Sequence, residues 1–144
     1  MKTETLSFST PNGDSTAFVA LPDVPNGKGV VVIHEWWGLN DHVKDIAERY
    51  AAEGFIAIAP DLYRGKIATD PEDASSMMHA LEIEDGLLTI NKATEAARDK
   101  YGLLHFGITG YCMGGTFALR AACELTGVSA AAPFYGDIPE DEIL

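Results

Sequence analysis

Two short runs constrain this chain more than anything else in it. "GVVVI" (residues 29–33) and "FIAIAP" (residues 55–60) are apolar with no polar alternation. A strand carries apolar residues on both sides only where both faces of its sheet are covered, the condition of a parallel sheet in an α/β protein. Between the runs lies a stretch of helical period from about 41 to 53. Asn40 or Asp41 caps it, Val43, Ile46, Ala47, Tyr50 and Ala51 share one face, and Gly54 ends it. After the loop "DLYRGKIATDPED", a helix begins in "PEDASSMMHAL" with Pro71 near its first turn, and a longer one runs from about 84 to 100. "LLHFGITG" (103–110) is a third buried strand, followed by a helix over 113–125 and a last strand in "VSAAAPFYG". At the start, "TLSFST" and "TAFVALP" flank a "PNGD" turn and predict an antiparallel hairpin. Strands alternating with helices form βαβ units, so the expected fold is α/β, a mostly parallel sheet with helices on both faces.

One core suffices for 144 residues, read as a single domain over 1–144 that hides about two-thirds of its unfolded surface. Ten Lys and Arg against 22 Asp and Glu leave a formal charge of −12, which repels phosphate backbones and anionic lipid. Nucleic-acid and membrane partners are therefore not expected. No apolar run approaches the roughly 18 residues of a membrane span. "MKTETLSFSTPNGDS" has no signal-peptide core, and a cytoplasmic location is expected. Cys112 and Cys123 fall on one helix and its entry turn, about 16 Å apart along the axis, too far for a disulfide. No metal-ligand spacing is present, and the glycines at 110, 114 and 115 fit neither a dinucleotide fingerprint nor a phosphate loop, so neither metal nor cofactor is expected. Cys123 reads as core packing.

Cys112 sits differently. Gly110-Tyr111-Cys112-Met113-Gly114 is G-x-C-x-G at the handover from strand to helix, the nucleophile-elbow pattern with sulfur in place of oxygen. The positions two before and two after the nucleophile must be small so that strand and helix can approach. The side chain then projects over the sheet's carboxyl edge, where open α/β folds bind ligands. Helix N-terminal amides there favour negative charge on sulfur, and the Met113 N–H faces a developing oxyanion. The competing reading is a buried structural cysteine beside a glycine-rich turn. The strand before it and the helix after it favour the elbow.

"HEWWGLN" follows the first buried strand and lies at the same edge. In folds built this way that loop supplies a second oxyanion amide, here the N–H of Trp36. Glu35 is a carboxylate between a buried strand and two tryptophans. It is read either as the partner of an arginine or backbone amide, or as a group that exchanges hydrogen bonds with Cys112. His34 reads as a hydrogen-bonding loop residue, and His42, His79 and His105 as surface or core positions. Trp36 and Trp37 either line a pocket or pack the loop.

"VVVIHEWWGLNDHVKDIAERYAAEGFIAIAPDLYRG", "TDPED", "GITGYCMGG" and "AAPFYG" occur in this order across residues 28–136. In these pieces the chain resembles the dienelactone hydrolases (carboxymethylenebutenolidases) of the α/β-hydrolase fold. The resemblance implies that Cys112 is the nucleophile of a Cys-His-Asp triad attacking the carbonyl of a small-molecule ester or lactone. It also implies that Glu35 helps activate the thiol and that the amides of Trp36 and Met113 form the oxyanion hole. Water would hydrolyse the acyl-enzyme without a cofactor.

Two departures accompany the resemblance. Characterised members carry an arginine for the substrate carboxylate in the helix after the "DP" turn, and alignment puts Met77 there. In this fold the triad acid and histidine also follow the nucleophile, whereas all four histidines here precede Cys112 and the sequence given stops at Leu144. The sheet is therefore expected to be incomplete at its C-terminal end, as the N-terminal portion of a longer parent. The competing expectation is a non-catalytic truncated α/β module that binds a ligand or forms a homodimer through the open edge of its last strand.

Overall fold

The computed structural model of the chain describes residues 1–138; of the acidic tail "DIPEDEIL" (137–144), expected to be solvated, Asp137 and Ile138 are exposed and the remaining residues lie outside that range. Its elements are β1 (Lys2–Thr10), β2 (Gly13–Leu21), β3 (Gly29–Ile33), α1 (Asp41–Ala52), β4 (Ile56–Pro60), α2 (Pro71–Ala80), α3 (Ile83–Tyr101), β5 (Phe106–Tyr111), α4 (Met113–Glu124) and β6 (Val128–Phe134). The strands form one sheet in the order β1-β2-β4-β3-β5-β6. β1 and β2 make the expected antiparallel hairpin, and β2 joins β4 antiparallel. From β4 through β3 and β5 to β6 all pairings are parallel.

β3 has β4 on one side and β5 on the other, so the chain leaves the centre of the sheet in opposite directions from two adjacent strands. Loops leaving such a pair diverge and open a crevice at the carboxyl ends of the strands. Those loops begin at His34 and at Cys112, which is how the fold brings "HEWW" and the elbow together.

The continuous apolar runs are buried on both faces, as two-sided strands require. All of β3 and all of β4 is buried. Val31, Ile33, Ile56 and Ile58 face Leu87, Ile90, Ala93 and Ala97 of α3 and Phe117, Ala118 and Ala121 of α4. Val30, Val32, Ala57 and Ala59 point the other way, onto Val43, Ala47 and Ala51 of α1, with Ile46 and Tyr50 packed at the margin. Each fully buried aliphatic side chain contributes about 1.5–3 kcal/mol. The caps hold as well. The Asn40 side chain accepts from the Val43 amide, and that of Asp70 from the Asp73 amide with Pro71 at the first helical position. Gly102 ends α3 in the left-handed conformation at φ 70°.

Two expectations need correction. β5 starts at Phe106, not at Leu103: the preceding residues are connection, and Leu104 is 76% exposed. Cys123 is exposed, not a core residue. The buried face of α4 runs through Gly114, Phe117, Ala118 and Ala121, and a residue two past Ala121 falls on the opposite side. β6 lies at the end of the sheet, exposed from Ser129 to Phe134, so helices cover both faces of the central strands but not of this one.

Candidate active site at the carboxyl edge of the sheet

Cys112 occupies the single residue between β5 and α4, at φ 55° and ψ −121°. A positive φ is costly for a residue with a Cβ, and surrounding structure must impose it. The imposition is visible at Gly110 and Gly114. A Cβ added at Gly110 would stand 2.0 Å from the Gly114 carbonyl oxygen, and one at Gly114 would stand 2.3 Å from that of Ile33. Helix, elbow and two strands are therefore in main-chain contact, and nothing larger than hydrogen fits at either position. The Cys112 amide donates to the Phe134 carbonyl at 3.0 Å, tying the elbow to β6.

The thiol opens into a cleft of about 350 Å³ whose walls include Trp36, Met78, Leu81, Ile83, Met113, Thr116, Phe117, Arg120, Tyr135 and Asp137. Of the four residues singled out from sequence, Cys112, Trp36 and Met113 share this cleft. Met113 is the first residue of α4, and amides of a first helical turn have no partner within the helix. Trp36 is a central residue of the turn closed by the Gly38 amide on the Glu35 carbonyl, 3.2 Å. Its ring meets Trp37 edge to face at 5.6 Å, so one indole lines the cleft and the other packs the loop.

Glu35 is half-buried, and its Oε2 accepts a hydrogen bond from the Tyr135 hydroxyl at 3.3 Å. This described partner is neither the arginine nor the backbone amide expected from sequence. Tyr135 stands at φ 39° just past β6 and lines the cleft beside Cys112. Its phenol is pushed up by desolvation, then by the Glu35 carboxylate and by Cys112. Sequence reasoning missed this residue, although "FYG" leaves a parallel strand at the carboxyl edge that carries the elbow.

His34 is fully buried and serves the loop. The Leu62 amide donates to its Nε2 at 3.1 Å, and Nδ1 meets the Glu35 carbonyl at 2.6 Å, so Nδ1 carries the hydrogen and the ring is neutral. Burial holds its pKa below the ordinary value of 6.5. With both nitrogens bonded to main chain, this imidazole is a rivet for the oxyanion-type loop and takes no proton from the thiol. Tyr63 stacks at a tilt against it, 5.0 Å between rings, and directs its hydroxyl to the Met113 sulfur at 3.4 Å. Met78, not Met77, reaches the cleft; Met77 lies on the neighbouring surface with Leu62 and Tyr63. Among the described residues no group of His, Cys, Asp and Glu is arranged to hold a metal ion, and no helix is long and apolar enough to cross a membrane.

This geometry has relatives. The model of the dienelactone hydrolase family matches residues 16–144. Protein usf of Aquifex pyrophilus is 38% identical over 120 residues, which cover 76% of this chain and 52% of that protein. An Aquifex aeolicus protein named provisionally as a carboxymethylenebutenolidase is 37% identical over 120 residues, again covering 76% and 52%. The solved structure titled m3DLH superposes with a TM-score of 0.86 at 25% identity, covering 98% of this chain and 62% of that one. A dienelactone hydrolase-like promiscuous phosphotriesterase from metagenomic libraries, P91, shares the fold at a TM-score of 0.86 and 23% identity. The chain thus spans about half the length of the curated relatives it matches. With the family model matched from β2 onward and the elbow, oxyanion-type loop and sheet order in place, the chain belongs to the dienelactone hydrolase family and has its α/β-hydrolase fold.

Proposed function

We propose that this chain carries the nucleophile half of a carboxylic ester or lactone hydrolase, with Cys112 as the attacking group. The supporting observation is the elbow: a thiol held at positive φ on the residue that precedes a helix, opening into a cleft shared with Trp36 and Met113. In this reading the sulfur adds to the carbonyl carbon, and the oxygen becomes an anion facing the amides of Trp36 and Met113. Collapse expels the alcohol oxygen and leaves a thioester on Cys112, which water hydrolyses. Glu35, bonded to the cleft residue Tyr135, is in this reading the carboxylate that exchanges hydrogen bonds with the thiol and governs when the thiolate forms.

The test uses p-nitrophenyl acetate with the chain and with Cys112→Ala. Release of p-nitrophenol by the parent, with an acetyl group found on the Cys112 peptide by mass spectrometry, is the expected result. Equal release by both proteins would dismiss the nucleophile.

A second reading rests on β6, whose outer edge and both faces are exposed, with Phe134 at 46% and Tyr135 at 72%. An open strand edge adds another strand readily, and a second copy of the chain would supply one. Sedimentation velocity across a concentration series decides this, a monomer throughout being the adverse result.

A further inference from the structure

We infer that the cleft over Cys112 accepts esters whose bound group is uncharged and apolar, and turns away esters that carry a carboxylate there. The inference rests on the hydrolase reading above and gives it a substrate class.

The walls argue first. Trp36, Met78, Leu81, Ile83, Met113 and Phe117 supply rings, thioethers and branched alkyl groups from three helices and two connections. A volume of about 350 Å³ is at the small end for ligand sites and holds one ring or a short chain. The charges argue second. Arg120 is the cation in the wall, two turns along α4 and so about 12 Å from its head. Its Nη1 lies 3.9 Å from the Glu124 carboxylate, and Asp137 lines the same cleft. Glu35 is not among the lining residues, but its carboxylate is bonded to Tyr135, which is. Among the described residues the cleft is lined by one cation, Arg120, and one carboxylate, Asp137, with the Glu124 carboxylate beside Arg120, so no excess of positive charge draws in an anion, and the chain as a whole carries −12. An apolar wall strips water from whatever enters, which costs a carboxylate heavily and an alkyl chain nothing.

Occupancy is read without turnover, so that failure of the hydrolase reading and failure of this one are separable. In a Cys123→Ser background, Cys112 is the remaining cysteine, and its alkylation by iodoacetamide is followed by peptide mass spectrometry. Neutral amides (acetamide, butyramide, hexanamide) and adipic acid monoamide, which ends the hexanamide chain in a carboxylate, are added as protectants. Each buried methylene is expected to tighten protection by the amides about threefold to fourfold until the cleft is full. Adipic acid monoamide is expected to protect at least about tenfold less well than hexanamide. Met78→Lys and, separately, Leu81→Lys place a cation among the apolar walls, and each is expected to lower the amide-to-carboxylate preference about tenfold or more.

A chain-end carboxylate that protects as well as hexanamide overturns the inference, as does protection that does not grow with chain length. A Cys112 that iodoacetamide does not reach overturns both this inference and the hydrolase reading. Graded protection by amides with no release of p-nitrophenol from the acetate ester upholds the apolar cleft and removes the hydrolase.

Discussion

Replacing Gly110 by alanine tests the elbow directly, and the matched control is three residues away on the same strand. At Gly110 a Cβ would stand 2.0 Å from the Gly114 oxygen, 2.3 Å from its carbonyl carbon and 3.0 Å from the Gly115 nitrogen. All three are main-chain atoms of the first turn of α4, so no side-chain rotation relieves the overlap. The helix must back away from β5 by roughly 1 Å, and overpacking of this kind costs about 3 kcal/mol, the upper end for an inserted methyl group. At Gly107 the nearest atoms are carbonyl oxygens at 4.0 Å, an ordinary contact. There alanine should be neutral or gain up to about 1 kcal/mol by restricting the unfolded chain. The two variants, each adding one methyl group to β5, should thus differ by about 3–4 kcal/mol, or about 10 °C in melting temperature for a chain of this size. Circular dichroism through thermal and urea unfolding measures the gap, with coincident transitions checking two-state behaviour. Gly110→Ala should also slow alkylation of Cys112, because it moves the sulfur. Melting temperatures within about 2 °C of each other would refute the close approach of helix and strand.

Other consequences follow from strain, burial and charge. Cys112→Gly should be about 1 kcal/mol more stable than Cys112→Ala, because only glycine adopts φ 55° without penalty, and urea midpoints of the two variants decide it. His34 is neutral in the fold and its pKa lies below 6.5, so the unfolded chain binds the extra proton first as pH falls. Stability should then drop below pH 6.5 by up to about 1.4 kcal/mol per pH unit, a slope that His34→Asn should remove from urea titrations. Glu4 moves the other way: the Tyr101 hydroxyl and then the Lys100 ammonium hold its carboxyl down at about 2, against an ordinary 4.5. Its contribution is complete above pH 4.5 and lost as pH falls toward 2, so Glu4→Gln should show a smaller change in urea midpoint across that window.

The parts of the fold legible in the sequence are those that depend on neighbours close along the chain. The unbroken runs at residues 29–33 and 55–60 announced strands buried on both faces, and the 3.6-residue stripe from Val43 to Ala51 announced the helix that covers one of them. The elbow was legible because its glycines answer contacts within one turn of main chain, Gly110 against Gly114. β6 shows where such reasoning stops. "AAAPF" is as apolar as "GVVVI", yet it is exposed, since burial depends on what lies beside a strand in space. Cys123, read as core packing from its place deep in the helix, lies on the side away from the face that Phe117, Ala118 and Ala121 bury. Tyr135 escaped notice for a different reason. Its reach to Glu35 depends on a left-handed backbone step after β6, and tyrosine gives no sign of one.

The elbow also bears on how such a site changes over time. At Cys112 the direction of the Cα–Cβ bond is dictated by main chain wedged between β5 and α4, and the rotamer has little part in it. Any γ atom attached there is delivered to nearly the same point, oxygen as readily as sulfur, with a slightly shorter bond. Exchange of a thiol for a hydroxyl is then a one-codon event that leaves the scaffold untouched, and a lineage built on this bend can alternate between the two chemistries without refolding its sheet.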